Sequence, residues 1–300
     1  MNRSVIEIQD ARKRIKDTLS EKQMFPYNKS LFLSTPIICF PEYRQLIGFS
    51  PSLIIRRFTE GIYFDLASES DFGVALGAAF ENYVIETIKT GGCKSWDVSP
   101  EISMVKKGVG TIHTSDAIIN TESCSIFIEC KFNRPTHVAK FDLSDENAVD
   151  GQIDKFAGFF AQGYKAAYRA CRGDFGEIVL HKDNIFLIIV SPDEWHLVSQ
   201  ARVREFEGAV KSKIPEELWC EDFFRRLRPI RCSMASFEVL VQACAQLGSA
   251  NVMSKISTPE SRWDFVRGHL INHYGKSKGF RPRKLWSDDF DDLIDLTLLA

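Results

Sequence analysis

The chain has 300 residues, of which 44% are hydrophobic and 26% charged, as in an ordinary globular protein of one large or two small domains. Its formal net charge of -2 excludes a general attraction to polyanions, so any contact with nucleic acid must come from local basic patches. No apolar stretch reaches the roughly 18 residues that span a bilayer, and we expect no membrane partner. Eight scattered cysteines without a Cys-x-x-Cys pair favour reduced thiols and a cytoplasmic protein.

The first elements in chain order are predicted to be mainly helical. Residues 3–22 alternate charged and aliphatic side chains and predict a helix, whose basic flank we interpret as a solvated face. Residues 25–62 are interrupted by four prolines and predict short mixed elements. From residue 72 the apolar pattern predicts a long helix that ends at the Gly91-Gly92 pair.

A β-rich section follows, with helices after it. Three predicted strands, joined by tight turns into an antiparallel meander, cover residues 101–107, 111–120 and 124–132. A polar stretch then predicts a loop, and the next elements are predicted as a long helix, a buried strand and a second helix, over 151–171, 184–190 and 194–213. The remainder is predicted to be mainly helical.

These elements divide the chain into three expected regions. They are a mostly helical N-terminal segment over 1–71, a core over 72–213, and a helical C-terminal extension packed on the core over 214–300.

Three charged residues interrupt the second and third strands of the predicted meander. Side chains alternate along a strand, so Glu129 and Lys131 share one face, and Asp116 begins the strand paired with theirs. Two neighbouring carboxylates repel each other unless a cation lies between them, and oxygen ligands favour a hard cation such as Mg²⁺. Lys131 is then placed to hold a water or to offset charge that develops on a phosphate.

A second interpretation of these charges is a salt-bridge cluster that protects an edge strand. The adjoining apolar run Ile126–Ile128 is typical of a central strand, where charges need a reason, and it favours the catalytic interpretation. Strand alternation places His113 on the face opposite Asp116, outside the site.

Asp116, followed after twelve residues by Glu129-Cys130-Lys131, resembles the core motif of the PD-(D/E)XK nuclease superfamily. Gly77-Ala78-Ala79-Phe80-Glu81, on the preceding helix, is similar to the G-x-x-F-E pattern of that superfamily. The predicted order of helix, three strands, helix, strand and helix also matches, and the resemblance covers about residues 72–205. Ser115 stands where many members have proline.

The resemblance implies an α/β, restriction-endonuclease-like core with a central mixed sheet flanked by helices, and helical additions at both ends. It implies catalytic roles for Asp116, Glu129, Lys131, Glu81 and, on the helix after the strands, Gln152. Mg²⁺, for which Mn²⁺ can substitute, would be bound by Asp116, Glu129, the carbonyl of Cys130, and Glu81.

The implied activity is a metal-dependent endonuclease or exonuclease acting on phosphodiester bonds, with DNA as the expected substrate, in restriction, anti-phage defence or DNA processing. Candidate nucleic-acid contacts lie in two basic runs, which solvated surfaces explain equally well: Arg225, Arg226, Arg228, Lys276, Lys278, Arg281 and Arg283. A homodimer and a partner protein are both left open. The alternative function is an inactive nuclease-fold subunit that binds nucleic acid or a partner protein.

Overall fold

The computed structural model describes residues 4–20, 32, 35–66, 69, 71–134, 146–194, 200–258, 265–275 and 278–286. The chain divides into two units. One comprises residues 1–76 and 135–152, and the other comprises residues 77–134 and 153–300.

The first unit contains a small sheet. Strand β1 (Val5–Glu7) pairs parallel with β2 (Ile37–Phe40), which pairs antiparallel with β3 (Gln45–Gly48). Helices α1 (Ile8–Ser20) and α2 (Pro51–Leu66) belong to this unit. Helices were expected here, but this sheet was not predicted, because strands of three or four residues are too short to show an alternating pattern.

A five-stranded sheet forms the centre of the second unit, in the order β10-β9-β8-β7-β4. Its strands are β4 (Asp97–Pro100), β7 (Ala117–Asn120), β8 (Ser125–Cys130), β9 (Ile185–Ser191) and β10 (Pro229–Ser233). The pairs β4·β7 and β7·β8 are antiparallel, whereas β8·β9 and β9·β10 are parallel. The sheet is therefore mixed, as expected for the α/β class.

Helices cover both faces of this sheet. One face packs against α3 (Phe72–Gly91), α7 (Met234–Leu247), α8 (Ser249–Ile256) and α9 (Val266–Leu270). The other face packs against α4 (Glu146–Cys171), α5 (Gln200–Ser212) and α6 (Glu221–Leu227). Strands β7, β8 and β9 are buried along their whole length, which explains the continuous apolar runs in their sequences.

The predicted three-stranded meander was wrong in its connections. The predicted strand 111–120 is broken into β6 (Gly110–His113) and β7 by residues 114–116. Strand β6 pairs with β5 (Ser103–Lys106) in a separate hairpin, and β4 occupies the place beside β7. The break matters because side-chain alternation does not carry across it.

The C-terminal region differs from a purely helical extension. Strand β10 comes from this region and completes the edge of the central sheet beside β9. Its sequence, Pro-Ile-Arg-Cys-Ser, was interpreted only as part of a basic run. Proline at the first residue of an edge strand costs no ladder hydrogen bond, so the strand tolerates it.

All eight cysteines lie within the described ranges and are free thiols, as expected; four of them are buried, at 124, 130, 232 and 244. In the part of the chain that the structure describes, no helix combines the length and apolar character needed to cross a membrane.

Candidate active site

Asp116 and Glu129 face each other across the β7–β8 pair. Ala117 is the register partner of Ile128, so the next position along the antiparallel pair places Asp116 opposite Glu129. The backbone N–H of Cys130 donates a hydrogen bond to Asp116 Oδ2, at 2.6 Å. The structure thus brings together the two carboxylates that the sequence placed on neighbouring strands, and it fixes the orientation of one of them.

Glu129 is a buried carboxyl group on a central strand. The residue is fully buried, and within the described chain neither of its carboxylate oxygens has a hydrogen-bond partner. Lys131 Nζ lies 3.0 Å from Glu129 Oε2, at ion-pair distance but without hydrogen-bond geometry. Burial raises the pKa of Glu129 to about 7, against the opposing effect of Lys131 and with a further increase from Asp116.

The pKa values of Asp116 and Lys131 are also shifted. Burial raises the pKa of Asp116, while Lys131 and the Cys130 N–H oppose this shift. Burial alone would lower the pKa of Lys131, but the neighbouring Glu129 and Asp116 carboxylates outweigh it and raise the pKa. Lys131 therefore stays an ammonium group at neutral pH, and it is a source of positive charge in the site.

Glu81 joins this cluster from helix α3. The preceding residue, Phe80, is buried and packs edge-to-face on Phe132, with ring centroids 5.4 Å apart, which anchors the helix at this point. Burial raises the pKa of Glu81, the Asp116 charge adds to the increase, and Lys131 opposes it. Glu81 is an exposed residue.

Glu101 is an acid at this site that the sequence analysis missed. Its charge raises the pKa of both Asp116 and Glu81. Glu101 Oε1 lies 2.6 Å from His113 Nδ1 and accepts a hydrogen bond from Ser103 Oγ at 3.1 Å. No motif spacing marks Glu101, and it becomes visible only because the β5–β6 hairpin folds beside the carboxylates. The sequence analysis placed His113 on the face opposite Asp116 by assuming one continuous strand. The structure breaks that strand between the two residues, so the assumption does not hold.

Gly163 is a second missed position. It lies on α4, and a Cβ added there would meet Leu187 Cδ1 at 2.7 Å and Glu129 Cγ at 2.9 Å. The helix backbone therefore packs directly on the side chain of Glu129 and excludes water from it. The signal in the sequence was the row of small residues along 157–170, which is typical of a closely packed helix.

Gln152 lies near the start of α4 and belongs to the first unit, whereas the carboxylates belong to the second. Its Oε1 is buried, and no hydrogen-bond partner for it occurs in the described ranges. Its catalytic role stays a prediction.

The carboxylate oxygens of Asp116 and Glu129 are ligands of the kind that a hard cation prefers. Two carboxylates face each other, and one has unpartnered, buried oxygens, which a fold leaves only at a cost. In the described part of the chain, no three His, Cys, Asp or Glu side chains are close enough together to hold an ion. A cation would therefore need backbone carbonyl and water ligands beside Asp116 and Glu129.

The first basic run lies away from the carboxylates. Strands β8, β9 and β10 are parallel, with Glu129 near the carboxyl end of β8 and Arg228 just before the amino end of β10. The Arg228 guanidinium lies 4.1 Å from the centre of the Phe186 ring and donates to Asn184 Oδ1. Arg225 and Arg226 are exposed, on the last turn of α6.

The second basic run is described in part. Lys276 lies outside the described residues. Lys278 and Arg281 are exposed, and Arg283 Nη2 donates to the carbonyl of Thr90 at 3.3 Å. Binding of nucleic acid by either run stays a prediction.

No family model and no curated protein matches this sequence. Among solved structures, the chain is similar to the small subunit of the heterodimeric restriction endonuclease R.BspD6I. The identity is 12% and the TM-score 0.33, over 65% of this chain and 87% of that one. A TM-score this low does not establish a shared fold.

Proposed function

We propose that the chain is a metal-dependent nuclease that hydrolyses phosphodiester bonds, with DNA as its substrate. The observation that carries the proposal is Glu129. Its carboxyl group is buried without hydrogen-bond partners in the described chain, opposite Asp116 and 3.0 Å from Lys131. Such a group costs free energy in a fold, because its loss of water outweighs the attraction of Lys131, as its raised pKa shows. A function at this position accounts for its presence.

The residues that would hold Mg²⁺ or Mn²⁺ are Asp116, Glu129 and the Cys130 carbonyl, with Glu81 in support. A bound ion would supply a water of lowered pKa and would polarise a phosphate oxygen. The neighbouring carboxylates, whose pKa values are raised without a cation, would ionise fully beside one.

The chain's own groups divide the remaining work. Asp116 is oriented by the Cys130 N–H, which donates to its Oδ2. Lys131 keeps its proton, and it would hold the attacking water by donating to it and offset negative charge on the phosphate. The basic runs are proposed to position the nucleic acid.

A cleavage assay on plasmid, linear and single-stranded DNA, and on RNA, tests this function with Mg²⁺ or Mn²⁺ and with EDTA. We expect Asp116→Ala and Lys131→Ala each to reduce the cleavage rate by roughly 100-fold or more, as for the loss of a group that stabilises transition-state charge. Lys107→Ala, an exposed lysine in the β5–β6 turn, is the matched control and should cleave normally. Cleavage that survives both site substitutions, or EDTA, would contradict the mechanism.

Calorimetry with Mn²⁺ separates the nuclease from the inactive subunit. We expect the ion to bind the intact chain and to bind Asp116→Ala more weakly. A chain that binds nucleic acid but neither binds the ion nor cleaves any of the four substrates is the inactive subunit.

A further inference from the structure

An open cavity of about 520 Å³ lies on the C-terminal helices of the second unit, lined by Phe265, Gly268, His269, Asn272 and His273. These residues belong to α9 with the residue before it and to the π-helix Ile271–Gly275 that follows. π-Helical turns are rare and are often found at functional sites. The opposite side of the same segment is buried in the core, through Val266, Leu270 and Tyr274. The segment is therefore anchored on one side and presents the cavity on the other.

The cavity offers planar surfaces. Phe265 is 47% exposed, a large fraction for a phenylalanine. The rings of His269 and His273 lie nearly parallel, 22° apart in orientation, with centroids separated by 6.0 Å. Gly268 leaves the wall between Phe265 and the histidines without a side chain, and a Cβ there would come no closer than 3.9 Å to Phe265 Cβ. A flat aromatic ligand fits such walls by stacking.

Polar and charged groups surround these surfaces. The exposed Asn272 amide has both donors and an acceptor, which match the edge of a nucleobase. Arg267 and Arg281 are exposed and near in sequence, and Lys278 Nζ lies 5.8 Å from the centre of the ring of Tyr274, the residue after His273. Aromatic walls with cations around them are the usual means of binding unpaired nucleotides.

The strand register relates the cavity to the carboxylates. Glu129 of β8 is level with Ile189 of β9, which is level with Arg231 of β10. Because neighbouring strands are about 4.8 Å apart, the Cα atoms of Arg231 and Glu129 are about 10 Å apart. The Arg231 guanidinium lies 5.9 Å from the centre of the Phe265 ring. Phe265 therefore lies by the β10 edge of the sheet, although α9 packs on the face opposite the one where Glu129 meets α4. A nucleic-acid strand that contacts both the cavity and the carboxylates would have to pass around this edge.

We propose that this cavity binds one unpaired nucleobase of the nucleic-acid strand held at the carboxylate cluster, by stacking on Phe265 and the two histidines. This inference rests on the proposed function. It gives the C-terminal region a role in selecting substrates that contain single-stranded or distorted segments.

Fluorescence anisotropy with a labelled dT12 oligonucleotide and with an abasic oligonucleotide of the same length tests the inference. The protein is full-length Lys131→Ala in EDTA, so no cleavage intervenes. We expect Phe265→Ala to bind dT12 roughly 5- to 150-fold more weakly, the range for loss of one stacked base. Binding of the abasic strand should not change, and Lys278→Ala should weaken binding of both strands. Val179→Ala, at an exposed apolar residue before β9, is the control.

Several outcomes would overturn the inference. One is that Phe265→Ala weakens binding of dT12 and of the abasic strand equally. Another is that neither Phe265→Ala nor Asn272→Ala weakens binding of dT12. A third is that free dTMP binds as tightly as dT12. Binding that holds in this assay while the intact chain cleaves nothing would refute the nuclease and leave the cavity assignment in place. Cleavage that holds while Phe265→Ala binds normally would refute the cavity alone. Replacing dT12 by rU12 shows whether the strand bound is DNA or RNA.

Discussion

At the scale of single residues, the properties of Glu129 come from three neighbours. The helix backbone at Gly163 removes water from its carboxyl group, Asp116 opposes its ionisation, and Lys131 favours it. The removal of water has the largest effect, so the proton stays bound to a pH near neutrality. A cation placed between Asp116 and Glu129 would reverse this balance, which couples the binding of metal to the release of protons.

The pKa of Glu129 predicts how stability depends on pH when metal is absent. Since the pKa is about 7 in the fold and 4.5 ordinarily, the folded protein holds a proton that the unfolded chain loses between these values. The free energy of unfolding should fall by about 3 kcal/mol as pH rises from the lower value to the higher, and stay level above it. Urea unfolding in EDTA at several pH values measures this.

Glu129→Gln keeps the shape of the side chain and removes its titration. This variant should show a smaller fall in stability than the natural chain, because only Asp116 and Glu81, whose pKa values burial also raises, still titrate in it, while the exposed Glu177→Gln control should follow the natural profile. Identical pH profiles for Glu129→Gln and the natural chain would contradict the prediction.

The sequence was sufficient to predict that two residues lie close together when a short turn joins their strands. Asp116 and Glu129 lie on two strands joined by a short turn, so counting from the turn placed them close together, and the structure brings them together. Glu101 could not be found in this way. It approaches Asp116 only through the fold of a separate hairpin, and no periodicity in the sequence encodes such a contact.

At the scale of elements, α4 sets the environment of the site. The helix packs on the sheet through Phe156, Phe160 and Tyr164, all buried, and reaches the strands most closely at Gly163. Its boundaries were predicted well at the C-terminal end, because the apolar pattern there is strong and Gly173 follows it. The closeness of its approach was not predicted, since it depends on which residue of the sheet lies beneath each small residue of the helix.

Gly163→Ala should destabilise the protein. The added Cβ would overlap Leu187 and Glu129, and overpacking outweighs the better helix propensity of alanine, for a net loss of about 1 to 2 kcal/mol in the free energy of unfolding. Gly158→Ala, on the same helix, is the control: its Cβ would meet only Lys213 Cδ, at 3.9 Å, and it should gain up to about 1 kcal/mol. Equal effects of the two substitutions in urea unfolding would show that the close approach is absent.

At the scale of the whole molecule, the order of the central sheet was the feature least accessible from the sequence. Strand β10 is separated from β9 by two helices and contains arginine and proline, so it was assigned to a basic surface. Its burial beside β9 shows that the C-terminal region is part of the central fold. Pairing between distant segments leaves no local pattern, whereas the α/β class with a mixed sheet was implied by the resemblance that the charged motif carries.

Substitution of Arg228 tests whether the first basic run stabilises the fold or binds nucleic acid. Because its guanidinium lies on the Phe186 ring and bonds to Asn184, Arg228→Ala should lower the free energy of unfolding by about 1 to 2 kcal/mol. Arg225→Ala loses only an exposed pair with Glu221 and should change it by less than about 0.5 kcal/mol. Full stability of Arg228→Ala with weakened DNA binding would instead assign the guanidinium to the nucleic acid.

The order of strands and helices along the chain also determines when the candidate site can form during synthesis. The ribosome makes all four charged site residues, Glu81, Asp116, Glu129 and Lys131, before residue 132. Helix α4, which covers Glu129, and strand β9, which pairs with β8, are made later. If the proposed activity depends on the burial of Glu129, a chain that ends before residue 146 lacks the helix that provides this burial and should not cleave.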